Sequence, residues 1–86
     1  LVDAPRLYPG RRRGAWAHMV SDENEEELHH MARTLGLKRH WFQAGRFPHY
    51  DIGLMKWRQA LHRGVRCVTT RELVALMRAR RALPAV

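Results

Sequence analysis

A chain of 86 residues supports one domain with one core, and at this size the fraction of surface it buries leaves stability marginal. Lys plus Arg number 16 against 8 Asp plus Glu, a net charge of +8, and only Lys38 and Lys56 are lysines, so the excess is almost wholly guanidinium. The single Cys67 excludes an internal disulfide, and no apolar run approaches the roughly 20 residues of a membrane helix. The opening residues lack the basic-then-apolar order of a signal peptide, and a start at Leu1 rather than Met is read as a few leading residues lost. These features lead to the expectation of a soluble cytoplasmic protein with no membrane partner.

In chain order, residues 1–3 read as a short first strand that ends near Asp3, because Pro5 lacks a ladder donor and holds Ala4 extended. The loop that follows sets Arg11, Arg12 and Arg13 between Gly10 and Gly14, a phosphate grip or a solvated turn. Residues 15–20 are apolar enough for a second strand, and Ser21-Asp22 brings helix-capping chemistry. Glu23, Glu25, Glu26 and Glu27 suit the positive end of a helix dipole, with Arg33 near the other end. Leu28, Met31, Ala32 and Leu35 recur at helical spacing, and Gly36 supplies a left-handed stop.

Residues 41–43 read as a third strand, followed by a turn around Gly45 and Pro48. A second helix is expected over about 53–63, with Leu54, Trp57 and Leu61 inward, stopped by Gly64. Residues 65–68 form a short β-branched run, with Cys67 read as a small buried hydrophobe. Thr69 and Glu72 carry the spacing of a capping box for a third helix that buries Leu73, Leu76 and Met77. The order predicts an α/β fold: one domain over residues 1–80 with a short, mainly parallel sheet and about three helices, then a loose tail over 81–86.

The densest chemistry lies in residues 41–51. If that segment is extended, His49 and Asp51 share a face, since side chains alternate along a strand. Ligands gather at the carboxyl ends of parallel strands, a rule that brings Asp3, Ser21, Asp22, Gln43 and Thr69 or Thr70 toward one rim.

Taken in order, the pieces Val2-Asp3-Ala4-Pro5-Arg6, the glycine–arginine loop, Trp16 through His18 to Asp22, Glu27-Leu28-His29, Gly36-Leu37, Trp41-Phe42-Gln43, Phe47-Pro48-His49-Tyr50-Asp51, Gly64-Val65 and Arg71-Glu72-Leu73 resemble domain of unknown function family 4031. That family comprises small bacterial and phage proteins, and the likeness runs from about Asp3 to Leu76. The chain departs from it at Ile52-Gly53, where a Ser or Thr usually opens the second helix, and at Arg66, which makes it more basic. The resemblance implies no activity, because the family is named for lacking one.

Three function classes follow from the residues. The leading one is binding of a phosphate-bearing anion, nucleic acid foremost, by Arg11, Arg12, Arg13, Arg39 and Arg46, with Tyr8 and Trp16 as stacking platforms and Gln43, His49 and Asp51 organising the adjoining pocket. Trp41, Phe42 and Trp57 are read as core. The second is a metal-dependent phosphoester hydrolase that holds a divalent ion through Asp3, His18, Asp22, His49 and Asp51; no cofactor is expected in the first reading. The third is a non-enzymatic interaction module, a homodimer closing over an exposed patch of Ile52 and Met55.

Overall fold

The alternation of burial along two short segments sets the frame. In the computed structural model, which describes residues 1–8 and 14–82, β1 (Trp16–Met19) turns Ala17 and Met19 into the core, and β2 (Tyr50–Gly53) turns in Tyr50 and Ile52. The two strands pair antiparallel, with Trp16 opposite Gly53, Ala17 opposite Ile52, His18 opposite Asp51 and Met19 opposite Tyr50. Because side chains alternate with period two, this register leaves His18 and Asp51 together on the face away from the core.

Helix α1 (Glu25–Thr34) starts at Asn24, whose side-chain oxygen accepts from the Glu27 amide at 2.8 Å. Ser21 lies upstream of the cap: its hydroxyl accepts from the Glu23 and Asn24 amides and donates to Glu27. Leu28, Ala32 and Leu35 are buried with Met31 packed against them, and Gly36 ends the helix at φ +78°. The Lys56 ammonium then donates to the Leu35 carbonyl at 2.6 Å, where a cation suits the negative end of the dipole. Helix α2 (Leu54–His62) follows β2 directly and stops at Gly64, φ +86°. Helix α3 (Thr70–Ala82) is capped by the Thr69 hydroxyl accepting from the Glu72 amide at 3.1 Å, and buries Leu73 and Met77 against Val20. No helix among the described residues is long and apolar enough to cross a membrane.

The expected α/β class holds, with three helices, but the mainly parallel sheet does not. Residues 41–43 form no third strand: Arg39–Trp41 is a 3₁₀ turn, and Gln43 makes a single antiparallel bridge to His49. That bridge reverses the chain through Gly45 and Pro48, so the arm returning to β1 is 50–53, running the opposite way. The first segment and residues 65–68 also contribute bridges rather than strands. Val2 pairs antiparallel with Met19 on one side and, in the one parallel contact among the described residues, with Cys67 on the other.

Five side chains depart from expectation, Leu54 among them: expected inward on α2, it is 40% exposed. Ile52 is buried in β2, so the exposed apolar patch is reduced to Met55, 68% exposed, with Leu54 beside it in sequence. Trp41 is 45% exposed under the Lys38 ammonium rather than in the core, and Leu76 is 40% exposed on α3. Cys67 is exposed: it stands opposite Val2 in a bridge whose hydrogen bonds come from the Arg66 carbonyl and the Val68 amide on either side of it. The loop of Arg11, Arg12 and Arg13 and the tail beyond Ala82 lie outside the described residues.

Two predictions follow from these packing details. Gly53 caps α2 with no side-chain hydrogen bond, its backbone is extended (φ −78°, ψ 175°), and an added Cβ meets nothing within 4 Å. Gly53→Ser therefore adds a cap and removes glycine freedom from the unfolded chain, and thermal unfolding should show a gain of about 0.5–1 kcal/mol.

His29 is buried, its Nδ1 2.9 Å from the Tyr50 hydroxyl and its ring edge-on to Phe42, while its Nε2 has no hydrogen-bond partner among the described residues. Burial first, then the Arg39 guanidinium, pushes its pKa below the ordinary histidine value. The unfolded chain thus takes up the proton first as pH falls through about 6.5, so this contribution is complete above that value and is lost below it, at up to ~1.4 kcal/mol per pH unit. Urea unfolding from about pH 7.5 to about pH 5.5 should show this loss, and His29→Gln should flatten it.

Candidate metal centre

Three side chains meet on the outer face of the β1–β2 pair. His18 Nε2 lies 3.9 Å from Asp51 Oδ1, and His49 Nε2 lies 3.4 Å from the same oxygen. The ligand atoms of His18, His49 and Asp51 all fall within 4.8 Å of one another. Tetrahedral coordination with bonds of about 2.0–2.1 Å places neighbouring ligand atoms roughly 3.3–3.4 Å apart. The His49–Asp51 pair already has that spacing, and the His18–Asp51 distance exceeds it by about half an ångström.

What each ring presents to this point is dictated from behind. His49 Nδ1 lies 2.7 Å from the Phe47 carbonyl. A carbonyl only accepts, so Nδ1 carries the hydrogen and Nε2 presents its lone pair. His18 Nδ1 lies 2.8 Å from Asp3 Oδ2, and the carboxylate imposes the same tautomer. Gln43 Nε2 donates to Asp51 Oδ2 at 2.6 Å, which orients Oδ1 toward the imidazoles. All three groups are thus held through the atom that faces away from the common point.

Asp3 is wholly buried and acts as an orienter. Its Oδ1 accepts from the His18 amide at 2.7 Å, and its Oδ2 accepts from the Thr70 hydroxyl at 2.7 Å as well as from the His18 ring. Its backbone is held too, with the Trp57 indole donating to the Asp3 carbonyl at 2.9 Å. The charged oxygens leave water because donors replace it on both of them.

The other anticipated residues divide. Tyr8 joins the cluster, its ring edge-on to His18 with centroids 5.9 Å apart, and the His18 and His49 rings are themselves edge-on at 5.5 Å. Trp16 is half-buried on β1 opposite Gly53. Asp22 is exposed and lines a separate cleft with Glu27. Arg39 lies over the Phe42 ring at 5.2 Å, and Arg46 over the Phe47 ring at 5.6 Å. Two contributors carry no readable signal in the sequence, the Phe47 carbonyl and the Trp57 indole, whereas the donor to Asp3 is Thr70, one of the two threonines expected on that rim.

The fold and the cluster together define a small α/β domain that carries an imidazole–carboxylate centre on the outer face of a strand pair. The chain belongs to the family described as protein of unknown function DUF4031, whose family model matches residues 1–80, as its motifs led one to expect. No curated protein and no solved structure matches it.

Removing the Thr70 hydroxyl tests the orienting network. Thr70→Val should cost about 1.5–3 kcal/mol in equilibrium unfolding, the range for a hydrogen bond to a charged group, whereas Thr70→Ser should retain most of it.

Proposed function

We propose that this protein holds a divalent ion through His18 Nε2, His49 Nε2 and Asp51 Oδ1 and uses it to hydrolyse phosphoester bonds in an anionic substrate, nucleic acid first among them. The observation that carries the reading is the convergence of three acceptor atoms, each fixed through its opposite atom by Asp3, the Phe47 carbonyl or Gln43. Two imidazoles and one carboxylate suit Zn, Mn or Fe, and three protein ligands leave a position open.

A divalent ion bound there supplies Lewis acidity toward a phosphoryl oxygen and lowers the pKa of water. The chain's own groups do the rest. Asp3 and the Phe47 carbonyl keep both Nε2 lone pairs directed at the site, and Gln43 prevents Asp51 from rotating. Tyr8 flanks the site with an aromatic edge, and the net charge of +8 favours an approaching phosphate. In the reaction, the oxygen of water bonds to phosphorus, the bond to the leaving oxygen breaks, and the proton from water ends on that oxygen.

The test begins with chelator-stripped protein titrated with Zn²⁺, Mn²⁺ and Fe²⁺ under calorimetry. One equivalent should bind, with stabilisation of about 2.7 kcal/mol once the ion is at 100 times its Kd. His18→Ala and His49→Ala should each abolish that shift, and labelled oligonucleotide should be cleaved only by the loaded wild type. Equal metal uptake by the variants refutes the centre. Stoichiometric binding with an intact oligonucleotide refutes the hydrolase and leaves a metal-binding domain.

A further inference from the structure

A second cleft, of about 320 Å³, lies between the turn that reverses the chain and the end of α3. Gly45, Arg46, Pro48, Met77, Arg80 and Arg81 line it, and no carboxylate is among the described residues that do. Three guanidiniums in one cleft repel each other, which favours an anion among them. Their contacts among the described residues are neutral: Arg80 Nη1 donates to the Ser21 carbonyl at 2.6 Å, Arg81 Nη1 donates to the Arg46 carbonyl at 3.0 Å, and the Arg46 guanidinium lies over the Phe47 ring. Each contact positions a guanidinium without neutralising it. A guanidinium has five N–H donors, so one such bond leaves most of its fork available.

We infer that this cleft is a phosphate-binding subsite, and that it grips one phosphate of a phosphodiester chain whose neighbouring phosphate lies at the imidazole–carboxylate centre. Arginine forks match phosphate oxygens bidentately, and the cleft's volume is at the lower end for sites that hold a small ligand, enough for a phosphate with part of its sugar. Its link to the centre is covalent. Pro48 lines the cleft and His49 is the next residue, one peptide of about 3.8 Å away, while Phe47 both supports Arg46 and supplies the carbonyl that fixes the His49 ring. One turn, 45–49, therefore carries a wall of the cleft and a ligand of the centre. The second half of the inference rests on the metal-centre reading, whereas the first half stands without it.

The test measures binding of a fluorescein-labelled oligothymidylate to the full chain over a range of salt, in chelator so that no cleavage intervenes. The double variant Arg46→Gln/Arg81→Gln avoids Arg80, whose bond to Ser21 also serves the fold. It should bind about tenfold more weakly and lower the slope of log K against log salt by about 0.7, the loss of one phosphate contact on a single strand. Arg33→Gln/Arg58→Gln removes equal charge from the exposed surfaces of α1 and α2 and should change neither quantity. Arg46→Lys/Arg81→Lys should recover the slope and only part of the affinity, because it restores charge without the fork.

Equal losses in the Arg33/Arg58 variant overturn the subsite and leave diffuse attraction. Inorganic phosphate and thymidine monophosphate serve as competitors: displacement by either at concentrations that leave the double variant unchanged supports a site for the phosphate group itself. Failure of metal binding with the arginine effect intact removes the centre and keeps the cleft. Metal binding with no arginine effect does the reverse.

Discussion

The buried carboxylate of Asp3 is the interaction on which the rest of this small protein depends. It sits at 0% exposure and joins parts of the chain that are far apart in sequence: the first segment, the first strand through His18, and the start of the last helix through Thr70, 67 positions away. Its backbone carbonyl receives the Trp57 indole from α2, so three elements are tied to one residue. A carboxylate removed from water without donors would cost several kcal/mol, and the donors here turn that cost into a constraint, since the pieces must arrive together. In a chain with a thin core, such a constraint helps select one arrangement of the elements.

The same bond gives the surface its chemistry. Hydrogen bonding of Asp3 to His18 Nδ1 turns the ring so that Nε2 faces Asp51, and the antiparallel register places Asp51 directly across. The centre is therefore assembled on a strand pair whose other face is fully buried. His49 alone comes from a turn, and its backing carbonyl is two residues away, so that ring is held locally.

A division of labour runs across the molecule. Acceptors converge on the outer face of the strand pair, and guanidiniums converge in the neighbouring cleft. The turn through Pro48 joins the two, so a displacement of this short segment would be felt at both.

The sequence by itself determined what is local. Helix starts and stops came from Thr69 and Glu72, the acidic first turn of α1, Gly36 and Gly64, each acting over a few residues. The alternation that puts His49 and Asp51 on one face is likewise a property of any extended chain, and the family was legible in the ordered motifs. Tertiary structure alone decided which strands pair and in which direction, because the reversal at Gln43 and His49 turns on a single bridge that no periodicity announces. It also decided that Asp3 would stand behind His18 rather than beside it, that Asp22 would lie in another cleft, and that Arg46 would meet arginines from the far end of the chain. Those outcomes follow from competition among long-range contacts for one small core, and a competition of that kind leaves no mark on the spacing of residues within any one segment.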